Sequence, residues 1–214
     1  NYMEAEIVGL SLAVDGGEAC YIPVAHDYPG APDQLPRAEV LTKLKEFLQD
    51  DERKKVGHHL KYDAHILRRY DIVLAGMQFD SMLESYVLNS VATRHDMDSV
   101  AKHYLGKDTI HYEDVAGKGA KQLTFNQVDL ETAAPYAAED ADITLQLHQA
   151  LWQQLGEQPS LRKVYEEIEQ PLVDVLLEME ELGVLVDRGM LTKQSSELAK
   201  TMARLEKKAH DLAG

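Results

Sequence analysis

The stretch Arg53-Lys-Lys-Val-Gly-His-His-Leu-Lys-Tyr-Asp-Ala-His-Ile-Leu-Arg-Arg-Tyr70 decides the fold. Arg53 to Gly57 reads as a short strand, and Tyr62 to Tyr70 as the helix that this strand enters. The same unit follows at once, with Met77 to Asp80 strand-like and Ser81 to Asn89 helical. Upstream, β-forming residues fill Ile7 to Val14 and Ala19 to Ala25, and Asp15-Gly16-Gly17 between them is a hairpin signal. A loop rich in Pro, Asp and Gly runs from His26 to Pro36. Val40, Leu41, Leu44, Phe47 and Leu48 then recur at helical spacing as far as Asp50. A hairpin followed by strand–helix–strand–helix alternation predicts an α/β fold, a mixed sheet flanked by helices.

Downstream the pattern turns helical. A helix is expected from Asp98 to Leu105, then a loop from Lys107 to Lys121 that contains Gly117 and Gly119. Thr124-Phe-Asn-Gln127 has capping-box spacing for a new helix start. The long periodic stretch from Leu130 to Leu155 contains Pro135, which lacks the N–H a helix interior needs. The main helix is therefore expected to start near that proline. Gly156 to Ser160 breaks the pattern and predicts a boundary between a domain of residues 1–158 and a helical segment of residues 159–214. In that segment Val164, Ile168, Leu172, Val175, Leu176 and Met179 form a stripe that ends at Gly183, a C-cap residue. Val184 to Val186 is extended, and a charged helix runs from Met190 to Leu212.

Hydrophobic residues make up 44% and charged residues 28% of the 214 positions, ordinary for a globular fold, and no apolar run approaches the ~20 residues that span a bilayer. No membrane partner and no secretory leader are expected, and the start at Asn1 reads as a fragment boundary. The single cysteine, Cys20, excludes an internal disulfide and suits a cytoplasmic setting. Its apolar neighbours Ala19, Tyr21 and Ile22 predict that it is buried. The net charge of −15 argues against salt-driven wrapping of duplex nucleic acid. It leaves room for an enzyme whose carboxylates hold divalent cations that neutralise substrate phosphates.

Two constellations carry chemistry. Leu60-Lys-Tyr-Asp63 opens a helix after a strand, and Tyr136-Ala-Ala-Glu-Asp140-Ala-Asp142 lies on the long helix. Tyr136 and Asp140 are four residues apart, which stacks the phenol and the carboxylate on one helical face. A divalent metal on Asp140 would take a water or phosphate oxygen, Tyr136 would orient the attacking water, and Asp63 would complete an acidic pocket. Taken singly these features are weak, because an aspartate near a helix start is usually a cap or a dipole partner. Spacing alone supports no more than a possible metal site.

Val56-Gly-His-His-Leu-Lys-Tyr-Asp63 resembles the second motif of the 3′–5′ proofreading exonuclease domain of the bacterial DNA polymerase I family, and Tyr136-Ala-Ala-Glu-Asp140-Ala-Asp-Ile-Thr-Leu145 resembles the third. Phe79 to Ser90, Arg94 to Ser99, Ala116 to Gly119 and Leu123 to Gln127 resemble intervening stretches of that domain. Ile168 to Leu172 and Glu181 to Val184 resemble the opening of the polymerase domain that follows. The resemblance implies a ribonuclease-H-like fold, Mg²⁺ or Mn²⁺ at a two-metal site, a single-stranded DNA 3′ end as substrate, and an adjoining polymerase domain. Asp63 and Asp140 would be metal ligands, and Tyr136 would hold the nucleophilic water. Tyr112 falls where the family packs an aromatic on the terminal nucleotides, a use that suits base stacking; an ordinary half-buried loop aromatic fits equally well. His59 stands where the family commonly has asparagine near the substrate, and His58 departs from the usual glutamine. Arg94, Lys118 and Lys121 are candidate phosphate contacts.

The family's first motif, an Asp-x-Glu pair ending a central strand before the hairpin, has no counterpart ahead of Ile7. Glu4 and Glu6 have the internal spacing but sit too late in register. The expectation is a sheet without its first central strand and a fragment that is inactive alone. An RNA-processing exonuclease and a non-catalytic scaffold are the competing readings. The segment from Ile168 onward speaks against the first, and the presence of Asp63, Tyr136 and Asp140 against the second.

Overall fold

The computed structural model of the protein describes residues 2–214. Strands β1 (Gly9–Asp15) and β2 (Glu18–Pro23) form an antiparallel hairpin. Pairing of Asp15 with Glu18 leaves Gly16 and Gly17 as the turn, and Gly17 takes the positive φ of 85° that glycine tolerates without a Cβ clash. Helix α1 (Arg37–Leu48) leads into β3 (Lys55–Gly57), then α2 (Leu60–Arg68), β4 (Met77–Asp80) and α3 (Ser81–Leu88). Strands β3 and β4 run parallel, with Val56 opposite Phe79 and Gly57 opposite Asp80. The fold is mixed α/β. Among the described residues the strands form two separate two-stranded sheets rather than one continuous sheet.

Helix α4 (Met97–Val100) continues into a π-helical turn, Ala101–Leu105, and α5 (Tyr112–Ala116) follows. The long helix α6 (Leu130–Gly156) packs on β1, β2, β3 and α3, so it spans both strand pairs. Its buried residues Ile143, Leu147, Leu151 and Leu155 repeat every fourth position, a stripe that faces the core. Ile143, Leu147 and Leu151 join Val100 and Ala101 in one cluster. A second cluster links Ile7 and Val24 to Leu41, Leu60, Leu67, Ile72 and Leu74.

Helix α7 (Pro159–Val164), a π-helical turn Tyr165–Glu169, α8 (Gln170–Leu182) and α9 (Arg188–Ala213) complete the chain. Two compact units result, residues 1–178 and 179–214. In the first, Tyr165 is buried. Its hydroxyl accepts from the Asp80 N–H at 2.8 Å and donates to Gln170 Oε1 at 2.8 Å. In the second, α9 carries exposed Leu191, Leu198, Met202 and Leu205.

Four expectations are corrected. The main helix starts at Leu130, five residues before Pro135, because the Asp129 carboxylate accepts from the Thr132 N–H at 2.9 Å and caps it there. The stretch from Lys107 to Lys121 is not all loop, since it contains α5 and a 3₁₀ turn at Gly119–Lys121. The capping box at Thr124 exists, yet it closes only a 3₁₀ turn, Phe125–Gln127. Cys20 is exposed on β2, where alternation of side chains across the strand turns it away from the core.

Candidate active site

Asp63 lies in the first turn of α2, and Asp80 positions that helix. The buried Asp80 carboxylate accepts from the backbone N–H groups of His59 at 3.0 Å and Leu60 at 2.8 Å. It also caps its own helix through Met82 N–H at 3.0 Å. A single side chain thereby fixes the starts of α2 and α3. His59 is the N-cap of α2, at φ 64°, a left-handed conformation that asparagine and histidine adopt more readily than most residues. His58 and His59 therefore occupy a bend after β3. The ring of His58 bonds Ser81 Oγ at 2.9 Å and the His95 carbonyl at 3.1 Å. The Asp63 side chain reaches solvent, although it lies deep among protein atoms. Loss of hydration and then the Asp80 carboxylate push its pKa up to about 7, and a backbone hydrogen bond opposes the rise.

Tyr136 and Asp140 share a face of α6, with the phenol beside the carboxylate. Asp140 Oδ1 is buried without a hydrogen-bond partner among the described residues. Desolvation pushes Asp140 up to about 7; the neighbouring Tyr136 phenol opposes this, and Asp98 and Glu139 add to it. Burial first, and then the Asp140 charge, raise the Tyr136 phenol and keep it neutral. Tyr112, at the first position of α5, packs 6.2 Å from Tyr136 and 6.4 Å from Phe125, centroid to centroid. Burial first, and then the nearby Tyr62 phenol, raise the Tyr112 pKa. The sequence-predicted residues thus fall into a Tyr112–Tyr136–Asp140 group on α5 and α6 and an Asp63–His59 group at the start of α2.

Arg94 is exposed and pairs with Asp96 at 3.2 Å. Lys118 pairs with Glu113, and Lys121 is exposed on its 3₁₀ turn. Glu6 pairs with Arg37 at 2.9 Å. Among the described residues no three His, Cys, Asp or Glu side chains converge closely enough to hold a metal ion. Sequence reading passed over Asp80, Asp98 and Glu139. Only Asp80 had a local signal, as a helix-capping aspartate directly before Ser81.

Comparison with known proteins gives a consistent picture. A family model described as 3′–5′ exonuclease matches residues 1–156. DNA polymerase I of Pseudomonas aeruginosa is 57% identical over 213 residues, 99% of this chain and 23% of that protein. DNA polymerase I of Rhizobium leguminosarum is 42% identical, over 99% of this chain and 22% of its own length. The chain therefore spans under a quarter of these relatives. Among solved structures, the POL domain of Pol1 from M. smegmatis, in complex with DNA primer-template and dNTP, aligns with a TM-score of 0.68 and 25% identity, covering 91% of this chain and 29% of that one. The apo form of a nuclease aligns with a TM-score of 0.58 at 19% identity, over 83% and 77% of the two chains, a likeness of fold alone. With the family match running from the hairpin to the end of α6, the chain belongs to the 3′–5′ exonuclease family.

Proposed function

We propose that these residues form the proofreading site of a DNA polymerase I, releasing nucleotides one at a time from a single-stranded DNA 3′ end. The observation that carries this reading is the buried, unpartnered Oδ1 of Asp140 beside the Tyr136 phenol. A buried carboxylate oxygen without a donor is costly unless a cation or water occupies its lone pairs. Asp140 and Asp63 are the residues that would hold Mg²⁺ or Mn²⁺. Bound there, such a cation supplies a polarised phosphate and a more acidic attacking water. Tyr136 orients that water through its hydroxyl, while His59 and Tyr112 bind the terminal nucleotides and Arg94 reaches a phosphate.

Asp63 and Asp140 alone make an incomplete set of ligands for two cations. In the ribonuclease-H-like reading further carboxylates complete the set, and a site with Asp63 and Asp140 as its only carboxylates is not a competent nuclease. Residues 1–158 are then the exonuclease domain, and 159–214 the helical opening of the polymerase domain, in a cytoplasmic enzyme of DNA replication and repair.

The test is 3′-terminal nucleotide release by the full-length protein with Mg²⁺ or Mn²⁺, on single-stranded DNA and on RNA of the same sequence. Asp140→Ala is expected to abolish release with the protein still folded. Full activity in that variant, or a preference for RNA, would overturn the reading.

A further inference from the structure

Three consecutive residues before Tyr112 are each held by a carboxylate. Thr109 Oγ1 donates to Asp98 Oδ1 at 2.7 Å, Ile110 N–H donates to Glu139 Oε2 at 2.7 Å, and His111 Nδ1 lies 2.6 Å from Asp98 Oδ2. Asp98 belongs to α4 and Glu139 to α6, so the segment is pinned from two separate elements. Both oxygens of Asp98 are used, and Thr109 is buried, so the segment has little freedom of register. The next residue, Tyr112, begins α5 with no side-chain cap of its own, and its ring meets Tyr136 and Phe125. The aromatic that would meet a nucleobase is therefore set in place by bonds made just ahead of it. An unpinned loop aromatic would lose rotamer and backbone entropy each time it stacked on a base.

We propose that Asp98 and Glu139 are positioning residues that clamp Thr109, Ile110 and His111 and so preset Tyr112 as a stacking platform for the terminal nucleotide. This rests on the exonuclease reading of the site. It assigns to Asp98 a task apart from metal binding, since each of its oxygens already meets a donor in the clamp. The His111–Asp98 contact strengthens the clamp when the imidazole is charged, and that contact first of all raises the His111 pKa, with smaller contributions from Asp114 and Asp108.

The test uses the full-length protein and single-stranded DNA carrying a fluorescent base analogue at its 3′ end. Asp98→Ala is expected to raise KM about tenfold while kcat changes by less than about twofold, the signature of lost binding rather than lost chemistry, at a size in keeping with one base–aromatic stack. Fluorescence quenching of the terminal analogue, measured in an Asp140→Ala background, should fall as far as it does in Tyr112→Ala. Combining Asp98→Ala with Tyr112→Ala should add little, because the two act as one unit. Asp98→Asn, which keeps an acceptor for Thr109, should recover part of the loss. Should Asp98→Ala fold poorly, the exposed His111→Ala should shift KM in the same direction by a smaller factor. Amide exchange at Ile110 in the DNA-free protein should accelerate in Asp98→Ala, a readout independent of cleavage. Thus an inactive wild type would sink the exonuclease reading alone. A loss in kcat at unchanged KM, full additivity with Tyr112→Ala, or unchanged exchange at Ile110 would overturn the clamp.

Discussion

Glu84 is fully buried on α3, with Oε1 2.7 Å from His148 Nδ1 and Oε2 lacking a hydrogen-bond partner among the described residues. Burial raises its pKa, the His148 contacts oppose this, and the Asp80 charge adds to it. A carboxyl whose folded pKa is raised binds more protons in the native than in the unfolded state once the pH passes its unfolded value, about 4.3. Stability is therefore lost as pH climbs from that value through the folded one, the reverse of a salt-bridged aspartate. Thermal melts across pH 4 to 8 should show the native protein losing ground to Glu84→Gln as pH rises. A stability difference that stays constant, or that shifts in favour of the native protein as pH rises, would refute this. Local sequence carried no sign of the pair, since residues 84 and 148 meet only through the packing of α3 on α6. Tyr136 and Asp140 were legible for the opposite reason, as a spacing of four along a helix places two side chains on one face whatever surrounds them.

Among the elements, β4 is coupled to the π-helical turn after α7 through one hydroxyl. Tyr165 accepts from the Asp80 N–H, and Asp80 in turn holds the start of α2, which carries Asp63. Tyr165→Phe would leave that N–H buried without an acceptor, at a cost of about 1–3 kcal/mol. Chemical denaturation should register a loss of that size, and an unchanged midpoint would show that another acceptor replaces the hydroxyl. Strands β3 and β4 and helices α1, α2 and α3 fall close to where periodicity and turn residues place them. Helix α6 does not, because a proline six positions into a helix removes a single N–H donor, and the Asp129 cap and the buried Ala133 hold the turn ahead of it.

For the whole molecule, the described strands form two separate pairs, and α6 packs across both. Calorimetric titration of the 214-residue chain with Mn²⁺ should show no pair of tight sites, and two tight sites would contradict the incomplete pocket. By itself the sequence determined the order of the strands and the longer helices, the glycine turn at Gly17, and the shared face of Tyr136 and Asp140. Each of these is encoded within a few residues by backbone sterics and helical repeat. Only the tertiary structure decided that Asp80 anchors the helix of Asp63, that Asp98 and Glu139 grip the segment before Tyr112, and that Cys20 faces outward. Those depend on which distant surfaces pack together, and no local period records that choice.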